Sequence, residues 1–185
     1  TDYDVEYKDN VNAGTATVTI TLKGNYSGTI TKNFTIERAK TATAIASDKV
    51  YTGSEQTGVT GTNVDLFGTI SATDVGTYTA TATPKANYAW SDGSIEQKIL
   101  TWNIIAKDTM DITATLNPTV YTYDGTEKEP EVTVKDGTKV LVNVTDYDVE
   151  YSNNINAGTA TVTITLKGNY GGTITKTFTL ERAKT

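Results

Sequence analysis

Apolar and polar residues alternate with a period of two along much of this chain. The clearest run is Thr159-Ala-Thr-Val-Thr-Ile-Thr-Leu166, in which Ala160, Val162, Ile164 and Leu166 point one way and the threonines the other. A two-residue period with one apolar face predicts an antiparallel strand half-buried on a core. Tyr147–Tyr151 repeats the pattern with acidic residues outward, and Thr173–Leu180 nearly does. Lys176 falls on the inward side of that last run, which predicts an edge, a bulge or a snorkelling stem. Turn residues separate the runs at Asp124-Gly125, Asp136-Gly137, Asn153-Asn154, Ala157-Gly158 and Gly171-Gly172. With Asp111–Leu116, Val120–Tyr123, Pro130–Val134 and Lys139–Asn143 added, about seven short strands are predicted. That density predicts an all-β, immunoglobulin-like β-sandwich. No segment has the periodicity of a helix.

The pattern is reiterated. Residues 1–41 align without a gap with 145–185, at an offset of 144, and differ at six positions. These are Lys8/Ser152, Asp9/Asn153, Val11/Ile155, Ser27/Gly171, Asn33/Thr177 and Ile36/Leu180. A weaker repeat relates Ala13–Tyr26 to Val75–Tyr88 at an offset of 62, with eight of 14 positions identical. Tyr121-Thr-Tyr-Asp-Gly-Thr-Glu parallels Tyr51-Thr-Gly-Ser-Glu-Gln, and Phe178-Thr-Leu parallels Trp102-Asn-Ile. The dipeptide Ala-Lys recurs at 39–40, 106–107 and 183–184. Such self-similarity predicts tandem modules: the rear half of an A-type module (1–40), a complete B-type module (41–107) and a complete A-type module (108–185). No Gly, Pro or Ser padding separates them, as Phe34–Ile45 shows, so an elongated, semi-rigid rod is expected.

Composition narrows the chemistry. Threonine supplies 39 of the 185 residues, which suits solvated strand faces. Cysteine and histidine are absent, which removes disulfides, thiolate and imidazole metal sites, and every triad that uses His as its base. Sixteen basic against 22 acidic side chains leave a net charge of −6, with no basic stripe to engage nucleic acid. No apolar run approaches the roughly 18 residues needed to span a bilayer, so no membrane insertion is expected. The opening Thr-Asp-Tyr-Asp has no basic and apolar leader, and the chain reads as an interior piece of something longer.

Against this background the sequence resembles the bacterial immunoglobulin-like repeats called MBG-type domains, strung along cell-wall-anchored adhesins of Gram-positive bacteria. The matching residues are Tyr-Asp-Gly-Thr at 123–126, Asp-Tyr-Asp-Val-Glu-Tyr at 146–151, Asn-Ala-Gly-Thr-Ala-Thr-Val-Thr-Ile-Thr at 156–165, Lys-Gly-Asn-Tyr at 167–170 and Phe178-Thr-Leu. In 41–107 they are Tyr51-Thr-Gly, Ala72-Thr-Asp-Val-Gly-Thr-Tyr78 and Tyr88-Ala-Trp-Ser-Asp-Gly93. The resemblance implies display at the bacterial cell surface and spacing, and carries no catalytic motif. It also raises a Lys–Asn or Lys–Asp isopeptide cross-link, for which Lys32, Lys176 and the pairs Lys23/Asn25, Lys85/Asn87 and Lys167/Asn169 are the residues to ask about. Partners two residues apart cannot staple two sheets, so no cross-link is expected.

Few residues suggest a ligand. Asp146, Asp148 and Glu150 line one strand face, repeated by Asp2, Asp4 and Glu6, and clustered oxygens are what Ca²⁺ takes. No EF-hand-like loop accompanies them, and a solvated acidic face that discourages edge pairing is the simpler reading, so no metal or cofactor is expected. Paired carboxylates also serve glycosidases, but nothing supplies a cleft. Ranks of Thr-x-Thr hydroxyls resemble ice-binding faces, but each module offers one rank on a twisted sheet. Tyr88, Trp90 and Asp92 occupy the longest loop-like stretch of 41–107 and are the residues expected to meet a glycan, if any do, because flat rings stack on sugars. For Trp90 itself a core role is the favoured reading over the glycan one, and Trp102 is expected in the core.

The reading is therefore a non-catalytic stalk that holds a distal head away from an extracellular bacterial surface, its partners the neighbouring repeats of its own chain. The rival is an adhesive module that recognises a host glycan or protein through the loop around Trp90, and a carbohydrate-active enzyme's accessory region is a third. Residues 1–40 lack the counterpart of 108–144, and so few residues seldom close a core. Tyr3, Val5, Tyr7, Ala16, Val18, Ile20, Leu22 and Phe34 are then expected to face water unless another copy completes them.

Overall fold

The structure, a computed structural model, describes residues 2–184, and every regular element in it is a strand. The chain begins with β1 (Tyr3–Lys8), β2 (Gly14–Leu22) and β3 (Thr29–Ile36), an antiparallel sheet in the order β1-β2-β3. There follow β4 (Thr43–Ala46), β5 (Lys49–Val50), β6 (Gln56–Thr57), β7 (Val59–Thr62), β8 (Val64–Gly68), β9 (Ser71–Ala72), β10 (Gly76–Pro84) and β11 (Lys98–Ile105). The last stretch holds β12 (Ile112–Asn117), β13 (Val120–Thr122), β14 (Glu131–Asp136), β15 (Lys139–Val140), β16 (Tyr147–Ser152), β17 (Gly158–Leu166) and β18 (Thr173–Glu181).

The weak sequence repeat is a repeat of topology. One sheet runs β5-β11-β10-β8 and another β13-β18-β17-β16. In each, the first strand pairs in parallel with the last strand of its segment: Val50 with Ile105, and Tyr121 with Leu180. The complementary sheets are β4-β7 with the short pair β6-β9, and β12-β14-β15. The chain passes from β12 to β13, and so from one sheet to the other, through a cis Asn117–Pro118 bond.

The residues fall into two compact units. The first holds residues up to Ser47, Thr57–Ala72 and Thr77–Trp102; the second holds Asp48–Gln56, Thr73–Gly76 and the residues from Asn103 onward. In the first, Ala42, Val64, Ala82 and Trp90 form a core on which Ala44, Leu66, Tyr88 and Leu100 pack. Trp102 is fully buried beside Tyr78, with ring centroids 4.9 Å apart, and its indole N–H donates to the Thr69 carbonyl at 2.8 Å. In the second, the period-two residues Ala160, Val162, Ile164 and Leu166 are buried together with Val134, Leu141, Phe178 and Leu180. Each such aliphatic or aromatic side chain contributes about 1.5–3 kcal/mol on burial.

Lys176 shares the side of β18 that buries Phe178 and Leu180, yet it is exposed, as is Lys32 at the matching place on β3. The same 41-residue sequence thus meets two fates. In β16-β17-β18 its apolar face is buried, whereas in β1-β2-β3 Tyr3, Val5, Tyr7, Ile30 and Phe34 are exposed and Val18, Ile20 and Leu22 only half-buried. Ala16, expected to face water with them, is instead fully buried.

Candidate functional site: the asparagine clamps

The motif Lys-x-Asn-Tyr occurs three times, at 23–26, 85–88 and 167–170, each after a strand of the threonine-alternating kind. Each time the chain turns tightly: the Tyr amide donates to the Lys carbonyl, at 3.1, 2.8 and 3.2 Å respectively. The turn holds the Asn with its backbone and side chain both free to bond elsewhere.

Within the first unit, Asn87 uses both. Its carbonyl accepts from the Ala39 amide at 3.0 Å, and the Ala89 amide donates back to the Ala39 carbonyl at 2.9 Å. Its side-chain Oδ1 accepts from the Ala13 amide at 3.0 Å, and its Nδ2 donates to Asn12 Oδ1 at 2.8 Å. Within the second unit Asn169 does the same. Its carbonyl accepts from Lys107 N at 3.1 Å, and Gly171 N donates to the Lys107 carbonyl at 2.8 Å. Its Oδ1 accepts from Val75 N at 2.8 Å, and its Nδ2 donates to Asp74 Oδ1 at 2.9 Å. Isolated parallel bridges, Ala39 with Tyr88 and Lys107 with Tyr170, mark the two places.

The correspondence is exact by alignment. Asn12-Ala13 and Asp74-Val75 precede the Gly of the 62-residue repeat, and Ala39 and Lys107 each stand five residues after the matched pair Phe34 and Trp102. An Asn side chain suits the task because one amide group accepts and donates at once. Each clamp therefore ties a Lys-x-Asn-Tyr turn both to the residues that leave a last strand and to the loop ahead of the preceding strand.

The second clamp has an aromatic backing. Tyr170 is buried, its ring packs edge-on to Tyr51 at 5.5 Å, and Lys139 Nζ donates to the Tyr170 hydroxyl at 3.2 Å while lying over both rings. That hydrogen bond holds the Lys139 ammonium above the usual lysine range, and burial pushes the Tyr170 phenol up. Lys107, just past the end of β11, reaches Asp136 at 2.6 Å, and this bond raises its pKa. The matching Tyr26, in the third copy of the motif, is 62% exposed.

Two of the lysines of these motifs pair with carboxylates on the neighbouring strand. Lys23 pairs with Asp4, and Lys167 with Asp148 Oδ1 at 2.6 Å. The acidic face is shared out in the same way: Asp146 Oδ2 accepts from Val142 N at 2.8 Å, Asp148 takes Lys167, and Glu150 is exposed. Among the described residues no cluster of three or more acidic side chains is placed to hold a metal ion.

The Tyr-Asp-Gly-Thr motif is a turn. Asp124 accepts from the Thr126 amide and hydroxyl at 3.0 and 2.7 Å and from Lys128 Nζ at 2.6 Å. The Lys128 bond, helped by those of Thr126, holds the Asp124 carboxyl well below the usual carboxylate range.

Tyr88, Trp90 and Asp92 lie near one another in sequence but face different surroundings. Trp90 is only 3% exposed, donates its indole N–H to the Glu96 carbonyl at 2.8 Å, and carries Lys98 Nζ 4.4 Å above its ring. It is a core residue and not an open stacking platform. Tyr88 packs partly buried against the same core, and Asp92 is exposed but closes its own turn by accepting from the Ser94 amide and hydroxyl. Those bonds lower the Asp92 pKa. The sequence marks the recurrent Asn as half of a Lys-x-Asn pair and, with the Tyr that follows it at 26, 88 and 170, as a packing corner. Its recurrence at one place in three copies was the signal of a shared task, but the backbone it reaches is distant in sequence.

The class of this chain is thus all-β, several sheets of strands with no helix among the described residues. No protein-family model matches it, and no curated protein matches it either. Among solved structures it is similar to a chain of the complex of Dpr2 Ig1-Ig2 with DIP-Theta Ig1-Ig3, with TM-score 0.31 and 11% identity over 92% of this chain and 73% of that one. It is also similar to PcdhgB3 EC1-4, with TM-score 0.21 and 12% identity over 99% of this chain. The chain spans 65% of the length of the latter.

Proposed function

We propose that this chain is part of the stalk of an extracellular bacterial surface protein, a series of immunoglobulin-like repeats that holds a functional head at a distance. The repeats are residues 1–40, 41–107 and 108–185, and their neighbours in the parent chain are their partners. One observation supports this reading: the asparagine clamp is built twice, around Ala39 and around Lys107, beside the boundaries proposed for the repeats. A spacer needs joints that resist bending, and four hydrogen bonds at a linker without padding supply that. The chemistry fits as well, since no His or Cys is available for catalysis, Asp146 is engaged by the Val142 amide and Asp148 by Lys167.

The experiment is mechanical. Pulled from its two ends in single-molecule force spectroscopy, the chain is expected to unfold in discrete, reproducible steps, with the joints yielding at lower force in Asn87→Ala and Asn169→Ala. Saturable binding of a glycan or host protein, lost in a surface variant such as Asp92→Ala with the fold intact, would replace this reading with the adhesive one.

A further inference from the structure

We propose that the bare face of β1-β2-β3 is a docking surface for a polypeptide segment with the pattern of residues 108–144, bound as those residues bind β16-β17-β18. The proposal stands apart from the spacer reading, because it rests on a comparison of the chain with itself. Residues 1–41 and 145–185 differ at only six positions. In the second copy, three features fasten the 108–144 segment. Tyr121 packs edge-on to Phe178 at 5.7 Å, and Val120–Thr122 pairs in parallel with Thr179–Glu181. Tyr151 donates its hydroxyl to the Pro130 carbonyl at 2.7 Å, and Tyr147 to that of Val132 at 3.4 Å. The buried Asn154 donates Nδ2 to the Lys128 carbonyl at 3.1 Å and accepts from the Lys128 amide at 2.9 Å.

Every group that receives the segment is present in the first copy, at Phe34, Thr35–Glu37, Tyr7, Tyr3 and Asn10. Phe34 is 41% exposed where Phe178 is 2%, and Tyr3 is 49% exposed where Tyr147 is 4%. The six differences leave this surface intact: Ile36/Leu180 exchanges one aliphatic for another, and Asn33 bonds Thr17 across the opposite face at 3.1 Å. A second copy laid face to face on β1-β2-β3 would cover the same apolar area. It would bring no carbonyls matching those of Lys128, Pro130 and Val132, however, and a buried hydroxyl or amide left without a partner is destabilising. The polar pattern of the surface therefore selects the segment over a self-pair.

The test uses the full chain, isotope-labelled, titrated with a synthetic peptide of residues 108–144. Saturable NMR shifts are expected at Tyr3, Tyr7, Asn10 and Phe34, absent from the variant Phe34→Asp. A second form, with a further copy of 108–144 placed ahead of residue 1, decides the matter where the free peptide is too disordered to bind. In it the β1-β2-β3 amides should exchange about a hundredfold more slowly than in the original chain, approaching those of β16-β17-β18. Unchanged exchange in that extended form would overturn the proposal. So would a concentration-dependent dimer of the original chain that Phe34→Asp abolishes and the peptide leaves intact, since the occupant would then be a second copy.

Discussion

Gly58 lies so close to Trp102 that a methyl group added there would meet the indole ring at 2.0 Å. Trp102 cannot retreat, being fully buried and tied to the Thr69 carbonyl. Gly58→Ala is therefore expected to destabilise by about 3 kcal/mol, at the upper end for overpacking, read as a lower midpoint in chemical denaturation followed by tryptophan fluorescence. The opposite outcome is expected at Val144. Among the described residues the non-glycine positions with left-handed backbone are Asp9, Asn63, Asn153 and Val144, and Val144 alone of these is neither Asn nor Asp. It is exposed and β-branched at φ 70°, a conformation that costs an ordinary side chain about 1–2 kcal/mol. Val144→Asn should raise the melting temperature, by about 1 kcal/mol of added stability. At this scale the sequence was legible where polarity and size decide: Trp102 was expected in the core and is there. At Trp90 too the core reading, weighed against a ligand platform, is the one found: the ring is buried and its Nε1–H meets the Glu96 carbonyl.

Strands are where the sequence spoke most plainly. Alternation placed Ala160, Val162, Ile164 and Leu166 on one face, and all four are buried. Alternation says nothing of what lies opposite, so an almost identical sequence forms β1-β2-β3 with much of its apolar face open. Cover is a property of the neighbouring element. The clamps were legible in part. The recurrent Ala-Lys dipeptide falls at both of them, but the clamped residue is Ala39 in one and Lys107 in the other, which the dipeptide puts out of step. Alignment on Phe34 and Trp102 restores the match. Because the Asn169 side chain makes two bonds, Asn169→Ala is expected to cost about 1–3 kcal/mol. The loss should appear locally, as a fall in the unfolding temperature of the second unit with the secondary structure of its strands retained by circular dichroism.

For the molecule as a whole, alkali should be more damaging than mild acid. Burial raises the pKa of Tyr147, Tyr151 and Tyr170, while Lys107 and Lys139 are held protonated by Asp136 and Tyr170. An unfolded chain gives up its tyrosine protons near pH 10.0 and its lysine protons near pH 10.5, whereas the folded chain keeps them longer. The folded state then binds more protons, so stability is fully present below pH 10 and falls as pH rises through the raised values. Thermal melts at increasing pH, with tyrosine ionisation followed by absorbance, should show a late-ionising subset and a falling melting temperature above pH 10. The account as a whole depends on joints closed by asparagine, and hydrogen exchange at the Ala13 and Val75 amides reads those joints directly. Both amides are predicted to exchange slowly in the native chain and quickly in Asn87→Ala and Asn169→Ala respectively, while Ile164 stays protected. Fast exchange of both in the native chain would contradict it.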